Sequence, residues 1–133
     1  MTTPATGTFT VKSWDEQPYA EADGGSKLTR ASVTNTFQGD VEGESALEYL
    51  MIYLDGGSGS FIGLEQIVGR VGGRSGSFVL QHSGTFAGQT VNGTWSVVPG
   101  SGSGDLTGLR GEGGFVAEHG QQATPYTLNY TLE

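Results

Sequence analysis

Ser60–Phe86, SFIGLEQIVGRVGGRSGSFVLQHSGTF, reads as two strands, Ser60–Val71 and Arg74–Phe86, folded back on each other at Gly72-Gly73. A Gly-Gly connection suits a tight hairpin, because both central residues take positive φ without a Cβ clash. With Val71 opposite Arg74, side chains alternate with period two. One face then carries Phe61, Gly63, Glu65, Ile67 and Gly69, together with Gly76, Phe78, Leu80, His82 and Gly84. Bulky apolar residues mixed with glycines suit the tapered inside of a small barrel. The opposite face is richer in Ser, Gln and Arg and is placed outside.

Upstream, Arg30–Val41 and Glu44–Leu54 read as a second strand pair about Glu42-Gly43. With Val41 facing Glu44, one face groups Ala31, Val33, Asn35, Phe37, Gly39 and Val41 with Ala46, Glu48, Leu50, Ile52 and Leu54. Apolar burial favours that face as the inside. Tyr49, Met51 and Tyr53 then form an outer band, read equally as scattered surface aromatics or as a contact between subunits of a homo-oligomer. Across the turn Asp55–Ser60, Leu54 opposite Phe61 joins the two pairs on a common inside. Downstream, Ala87-Gly88 turns Phe86 onto Gln89, which sets Leu80 opposite Trp95 and Phe78 opposite Val97. Three turns agree on one interior.

Thr6–Trp14 alternates, with Phe9 and Val11 on one side, whereas Asp15–Lys27 reads as a long loop. Pro99–Gly104 reads as a connector, and Ser103 or Asp105 as the cap of a short helical turn through Leu109. Arg110–Glu118 and Tyr126–Glu133 close the chain as strands. Eight strands without an internal repeat or boundary predict an all-β fold, one domain over residues 1–133. The expected architecture is an antiparallel up-and-down barrel, lipocalin-like in shape, with bore for one small ligand.

The chain of 133 residues has 24 glycines, no cysteine and a formal charge of −8. Only six Lys or Arg are spread along it, so nothing clusters to displace counterions from a nucleic acid or to adhere to an anionic membrane. No apolar run reaches spanning length, and Met1–Thr10 lacks the basic and apolar regions of a secretory signal. A soluble, cytoplasmic protein is the expectation.

The strings Val71–Phe86, VGGRSGSFVLQHSGTF, and Val97–Glu112, VVPGSGSGDLTGLRGE, resemble a bacterial family of unknown function grouped with the allene oxide cyclase-like barrels. The resemblance covers nearly the whole chain. It implies an eight-stranded barrel with a lumen, and often oligomers. It does not imply cyclase chemistry, because that superfamily holds enzymes alongside uncharacterised members, and no catalytic role is carried over from the plant cyclase.

The inward polar set expected from register is Asn35, Glu48, Glu65 and His82, beside Trp95, Tyr126 and Tyr130. Glu48 and His82 fall diagonal to Glu65 on its two neighbouring strands, roughly 7–8 Å away at the backbone. Two carboxylates in an apolar lumen cannot both ionise cheaply, and an adjacent imidazole favours an ion pair. Such a group suits general acid/base work on a small substrate. The plainer and more frequent arrangement is a buried Glu bonded to Tyr, Asn or backbone, with a structural histidine. No metal-ligand spacing and no Gly-x-Ser-x-Gly elbow occurs, and no cofactor is expected. Arg30 and Arg110 read as solvated surface cations.

Three functions follow from this reading. The leading one is a barrel enclosing a small, largely apolar molecule. Glu65, Glu48 and His82 are its candidate reactive groups, and Asn35, Phe37, Phe61, Phe78, Leu80, Trp95, Tyr126 and Tyr130 its wall. The alternative is an isomerase or cyclase in which one lumen carboxylate shuttles a proton or steadies developing positive charge. The third is a barrel filled by its own side chains that acts only through its outer surface. A lumen of about 300 Å³ or more, open at one end, separates the third from the first two.

Overall fold

Gly72 and Gly73 turn the decisive hairpin with φ of 57° and 85°, and Val71 pairs with Arg74 as the alternation requires. The computed structural model describes residues 2–21, 26–54 and 56–132. Its strands are β1 (Thr3–Glu21), β2 (Lys27–Gly39), β3 (Val41–Tyr53), β4 (Ser58–Val71), β5 (Arg74–Ala87), β6 (Thr90–Val97), the two-residue bridge β7 (Ser103–Gly104), β8 (Arg110–Glu118) and β9 (Thr124–Thr131). Each long strand pairs antiparallel with the next, and β9 returns to β1, closing an eight-stranded barrel. The described residues contain no helix.

Closure separates two ends. The ends of β1, β3, β5 and β8 and the starts of β2, β4, β6 and β9 gather at one, and the Gly39-Asp40 and Gly72-Gly73 corners at the other. There the β6–β8 connection folds across the bore. Asp105 N–H donates to the Ser75 carbonyl at 2.9 Å, and Leu106 and Leu109 are fully buried beneath it. This segment forms hydrogen-bonded turns in place of the expected helical turn. Above it the bore is filled: Phe9, Phe37, Trp95, Phe115 and Tyr126 stack with ring centroids 5.3 to 6.2 Å apart.

The interior of β2, β4 and β5 is the expected one, with Ala31, Val33, Asn35, Phe37, Phe61, Glu65, Ile67, Phe78, Leu80 and His82 all buried. Strand β3 is reversed. Its corner lies at Gly39-Asp40, not Glu42-Gly43, and Gly43 sits within the ladder opposite Phe37 and Gly69. Asp40 fastens the corner, its N–H donating to the Thr6 carbonyl and its carboxylate accepting from Thr6 N–H. Ser45, Leu47, Tyr49 and Met51 therefore point inward, while Glu48 and Leu50 are exposed. The outer band expected from Tyr49, Met51 and Tyr53 is thus part of the inside.

Two further boundaries differ. β1 does not stop at Trp14 but continues to Glu21, crossing bulges at Val11/Ser13 and Pro18/Ala20 that absorb Lys12 and Tyr19. Residues 22–25 of the expected loop, Asp55 of the next turn and Glu133 of the last strand lie outside the described residues. The β5–β6 register is offset by two residues from the expected one, so His82 rather than Leu80 faces Trp95. An even offset leaves every side chain on its expected face.

Candidate functional site: a buried glutamate–histidine pair beneath an open cavity

Glu65 reaches the middle of the bore because β4 pairs with β3 and β5 in a register that sets Leu47 and Leu80 directly against it. Its Oε1 accepts from His82 Nε2 at 2.8 Å. Its Oε2 accepts from Asn35 Nδ2 at 2.9 Å and from Ser45 Oγ at 2.5 Å. Glu65 and His82 are 0% and 1% exposed. Three donors converge on this one carboxyl, and a buried carboxyl needs such partners where water is excluded.

The other nitrogen of the imidazole completes a chain. Tyr49 Oη lies 3.3 Å from His82 Nδ1, and edge-on contacts with Tyr49 and Trp95 hold the ring. With Nε2–H committed to Glu65, Nδ1 is the acceptor and Tyr49 O–H the donor. Burial, and then the charge of Glu65, keep the Tyr49 hydroxyl protonated far above the ordinary tyrosine range.

Above the pair lies a cavity of about 370 Å³. Asn35, Leu47, Tyr49, Met51, Phe61 and Phe115 line its depth, and Trp14, Tyr53, Phe86 and residues 88–90 and 117–119 stand at its mouth. Neither Glu65 nor His82 lines it; Asn35 and Tyr49 are the cavity-wall residues that bond to them. Asn35 spends its Nδ2 on Glu65, and its buried Oδ1 has no partner among the described residues.

Of the candidates drawn from the sequence, Glu65, His82 and Asn35 come together, and Phe61 lines the cavity beside them. Glu48 does not join them. It points to solvent, paired with Arg30 at 2.9 Å, and hydrogen bonds from Ser32 and Arg30 lower its carboxyl below the ordinary value. The pair of lumen carboxylates is therefore absent, and a carboxylate–imidazole pair stands in its place. Phe37, Phe78, Leu80, Trp95 and Tyr126 are buried in the filled part of the bore rather than on the cavity wall, and Tyr130 abuts Gly72 at the closed end. The sequence reading missed Ser45, Tyr49 and Met51, hidden by the reversed parity of β3, and Trp14 and Phe86 at the mouth. Among the described residues no three His, Asp or Glu side chains gather as a metal site.

A second carboxylate, missed because its segment read as loop, braces the mouth. Glu16 accepts from Trp14 Nε1 at 2.9 Å, from Thr29 Oγ1 at 2.7 Å and from the Tyr53 hydroxyl. Burial works to raise the Glu16 carboxyl, but the bonds from Tyr53, Thr29 and Trp14 and the charge of Lys27 outweigh it and hold it below 4.5. Burial, with the Glu16 bond and charge, pushes Tyr53 up to about 12. A depressed carboxyl stabilises the fold above its unfolded value, and that contribution disappears as pH falls through the folded one. Urea unfolding of the wild type and Glu16→Gln should therefore differ most near neutrality and converge as the solution is acidified below 4.5. A gap that does not change with pH would mean the carboxylate's charge is not what braces the mouth.

A profile for the proteins of unknown function designated DUF3224 matches residues 5–130. The crystal structure of a protein of unknown function from that family, from Shewanella oneidensis MR-1, is 36% identical and superposes with a TM-score of 0.81, covering 100% of this chain and 99% of that one. No match was found among curated proteins.

Proposed function

We infer that the chain, which belongs to the DUF3224 family, holds a small, largely apolar molecule at the open end of its barrel, with a hydroxyl or amine of that molecule turned toward Asn35. The observation that carries this is Asn35, a wall residue of a cavity whose depth is otherwise aromatic and aliphatic, whose buried Oδ1 finds no partner among the described residues. A buried acceptor without a donor is costly, by about 1–3 kcal/mol, and a ligand O–H or N–H relieves it. The volume of about 370 Å³ falls in the range of small-molecule sites and equals about a dozen waters at ~30 Å³ each. The Glu65–His82 pair favours a second reading, acid/base chemistry on the bound molecule.

The test compares 2-naphthol with naphthalene by calorimetry. The naphthol is expected to bind roughly tenfold tighter, the worth of about one hydrogen bond, and Asn35→Leu should erase that preference while naphthalene still binds. Equal affinities in the wild type would remove Asn35 as the polar anchor. Failure of both probes to bind would remove the ligand cavity itself.

A further inference from the structure

Tyr49, His82 and Glu65 form a directed chain that ends on the cavity wall. Glu65 Oε2 is saturated by Asn35 and Ser45, so Oε1 is left to the imidazole alone. That fixes the proton of neutral His82 on Nε2 and aims the Nδ1 lone pair at the Tyr49 hydroxyl, 3.3 Å away. The rings of Tyr49, Trp95 and Phe115, with centroids 5.4, 5.2 and 5.9 Å from the imidazole, prevent it from turning. Glu65 and the aromatic faces would also steady the ring if it became an imidazolium. A hydroxyl, a base within reach and a third group orienting the base are the parts of an activated acid/base or nucleophilic device.

We propose that Tyr49 is the proton-exchanging group of this cavity, and that the molecule it serves carries a weakly acidic hydroxyl, a phenol or an enol, besides the donor held at Asn35. This rests on the ligand-binding reading above. The ligand O–H bond breaks and its proton forms a new O–H bond at Tyr49 Oη. In the same step the original Tyr49 proton moves to His82 Nδ1. The products are a ligand oxyanion and an imidazolium paired with the Glu65 carboxylate; no electron changes hands and net charge is conserved. Because Tyr49 resists ionisation on its own, it passes a proton on to His82 rather than standing as a tyrosinate. The same chain run backwards protonates an enolate.

The experiment uses 4-nitrocatechol, which offers one hydroxyl to Asn35 and one to Tyr49 and changes its visible spectrum on ionisation. At a pH where the free catechol is mostly neutral, the wild-type protein should enrich its anion roughly tenfold, the equivalent of one pKa unit. Tyr49→Phe keeps the ring and should abolish the anion band, with naphthalene binding as the check that the cavity persists. Glu65→Gln should abolish it by a different route. The new amide donates to His82 Nε2, the histidine proton moves to Nδ1, and the acceptor for Tyr49 is lost, as ¹⁵N NMR of the imidazole would show. Bound 4-nitrocatechol that stays neutral in the wild type, or still ionises in Tyr49→Phe, overturns the relay and leaves the cavity reading standing. Absence of binding by both 4-nitrocatechol and naphthalene overturns the cavity reading and the relay with it.

Discussion

Glu65→Ala is expected to lower the unfolding free energy by about 3–5 kcal/mol, because each buried donor left without an acceptor costs about 1–3 kcal/mol. The loss has three named sources. His82 Nε2–H, Asn35 Nδ2–H and Ser45 Oγ–H all point at Glu65, and each becomes an unpartnered donor in a place that water does not reach. The space vacated adds a cavity term. A domain of ordinary stability has about 5–15 kcal/mol in total, so this penalty takes a large share of it. Glu65→Gln keeps the volume and an acceptor for Asn35 and Ser45, and should cost much less. A double variant, Glu65→Leu with His82→Leu, removes charge and partner together and should be less damaging than the sum of its singles. Urea unfolding of the set decides it. A Glu65→Ala penalty below about 1 kcal/mol would mean that solvent enters and satisfies the orphaned donors.

How much of this pair could be read from the chain is a question of parity. The Gly72-Gly73 hairpin is explicit in the sequence, and its register places Glu65 and His82 on one face two residues off true opposition, which is how they meet. The strand on the other side of Glu65 has the opposite parity to the one its sequence suggests. Glu42-Gly43 resembles a turn dipeptide, but Gly43 serves close strand contact: a Cβ there would stand 2.2 Å from the Val68 carbonyl oxygen. Hydrophobicity does not arbitrate, because Leu47, Tyr49, Met51 and Tyr53 on one face of β3 are matched by Ala46, Leu50 and Ile52 on the other, with Leu54 just beyond it. The turn before β4 slipped by an odd number as well, so the two errors cancelled. The expected faces of β2 and β4 therefore hold around a reversed β3, and agreement between turns does not expose it. Ser45 and Tyr49, both central to the site, vanished from view, and Glu48 took their place.

The glycine at the heart of this arrangement supplies the second large effect. Gly63 pairs with Tyr49 on one side and His82 on the other, so the two rings meet across a strip of wall that carries no side chain. A Cβ at Gly63 would lie 2.5 Å from the Glu48 carbonyl oxygen and 2.7 Å from Tyr49 Cδ1. The carbonyl belongs to the β3–β4 ladder and cannot retreat without opening it. The Tyr49 ring can retreat only off the wall, into the cavity, and its 3.3 Å bond to His82 has no slack to follow. Gly63→Ala is therefore expected to destabilise the barrel by about 1–3 kcal/mol, as overpacking does, to shrink the cavity and to uncouple Tyr49 from His82. Leu64→Ala is the control, since that side chain is 55% exposed on the outer face and should change stability by no more than about 0.5 kcal/mol. Urea unfolding gives the first quantity, naphthalene affinity the second, and the NMR shift of His82 Nδ1 the third. If Gly63→Ala unfolds like Leu64→Ala and leaves the histidine signal in place, then the glycine is incidental and some other feature of the wall holds Tyr49 against the imidazole.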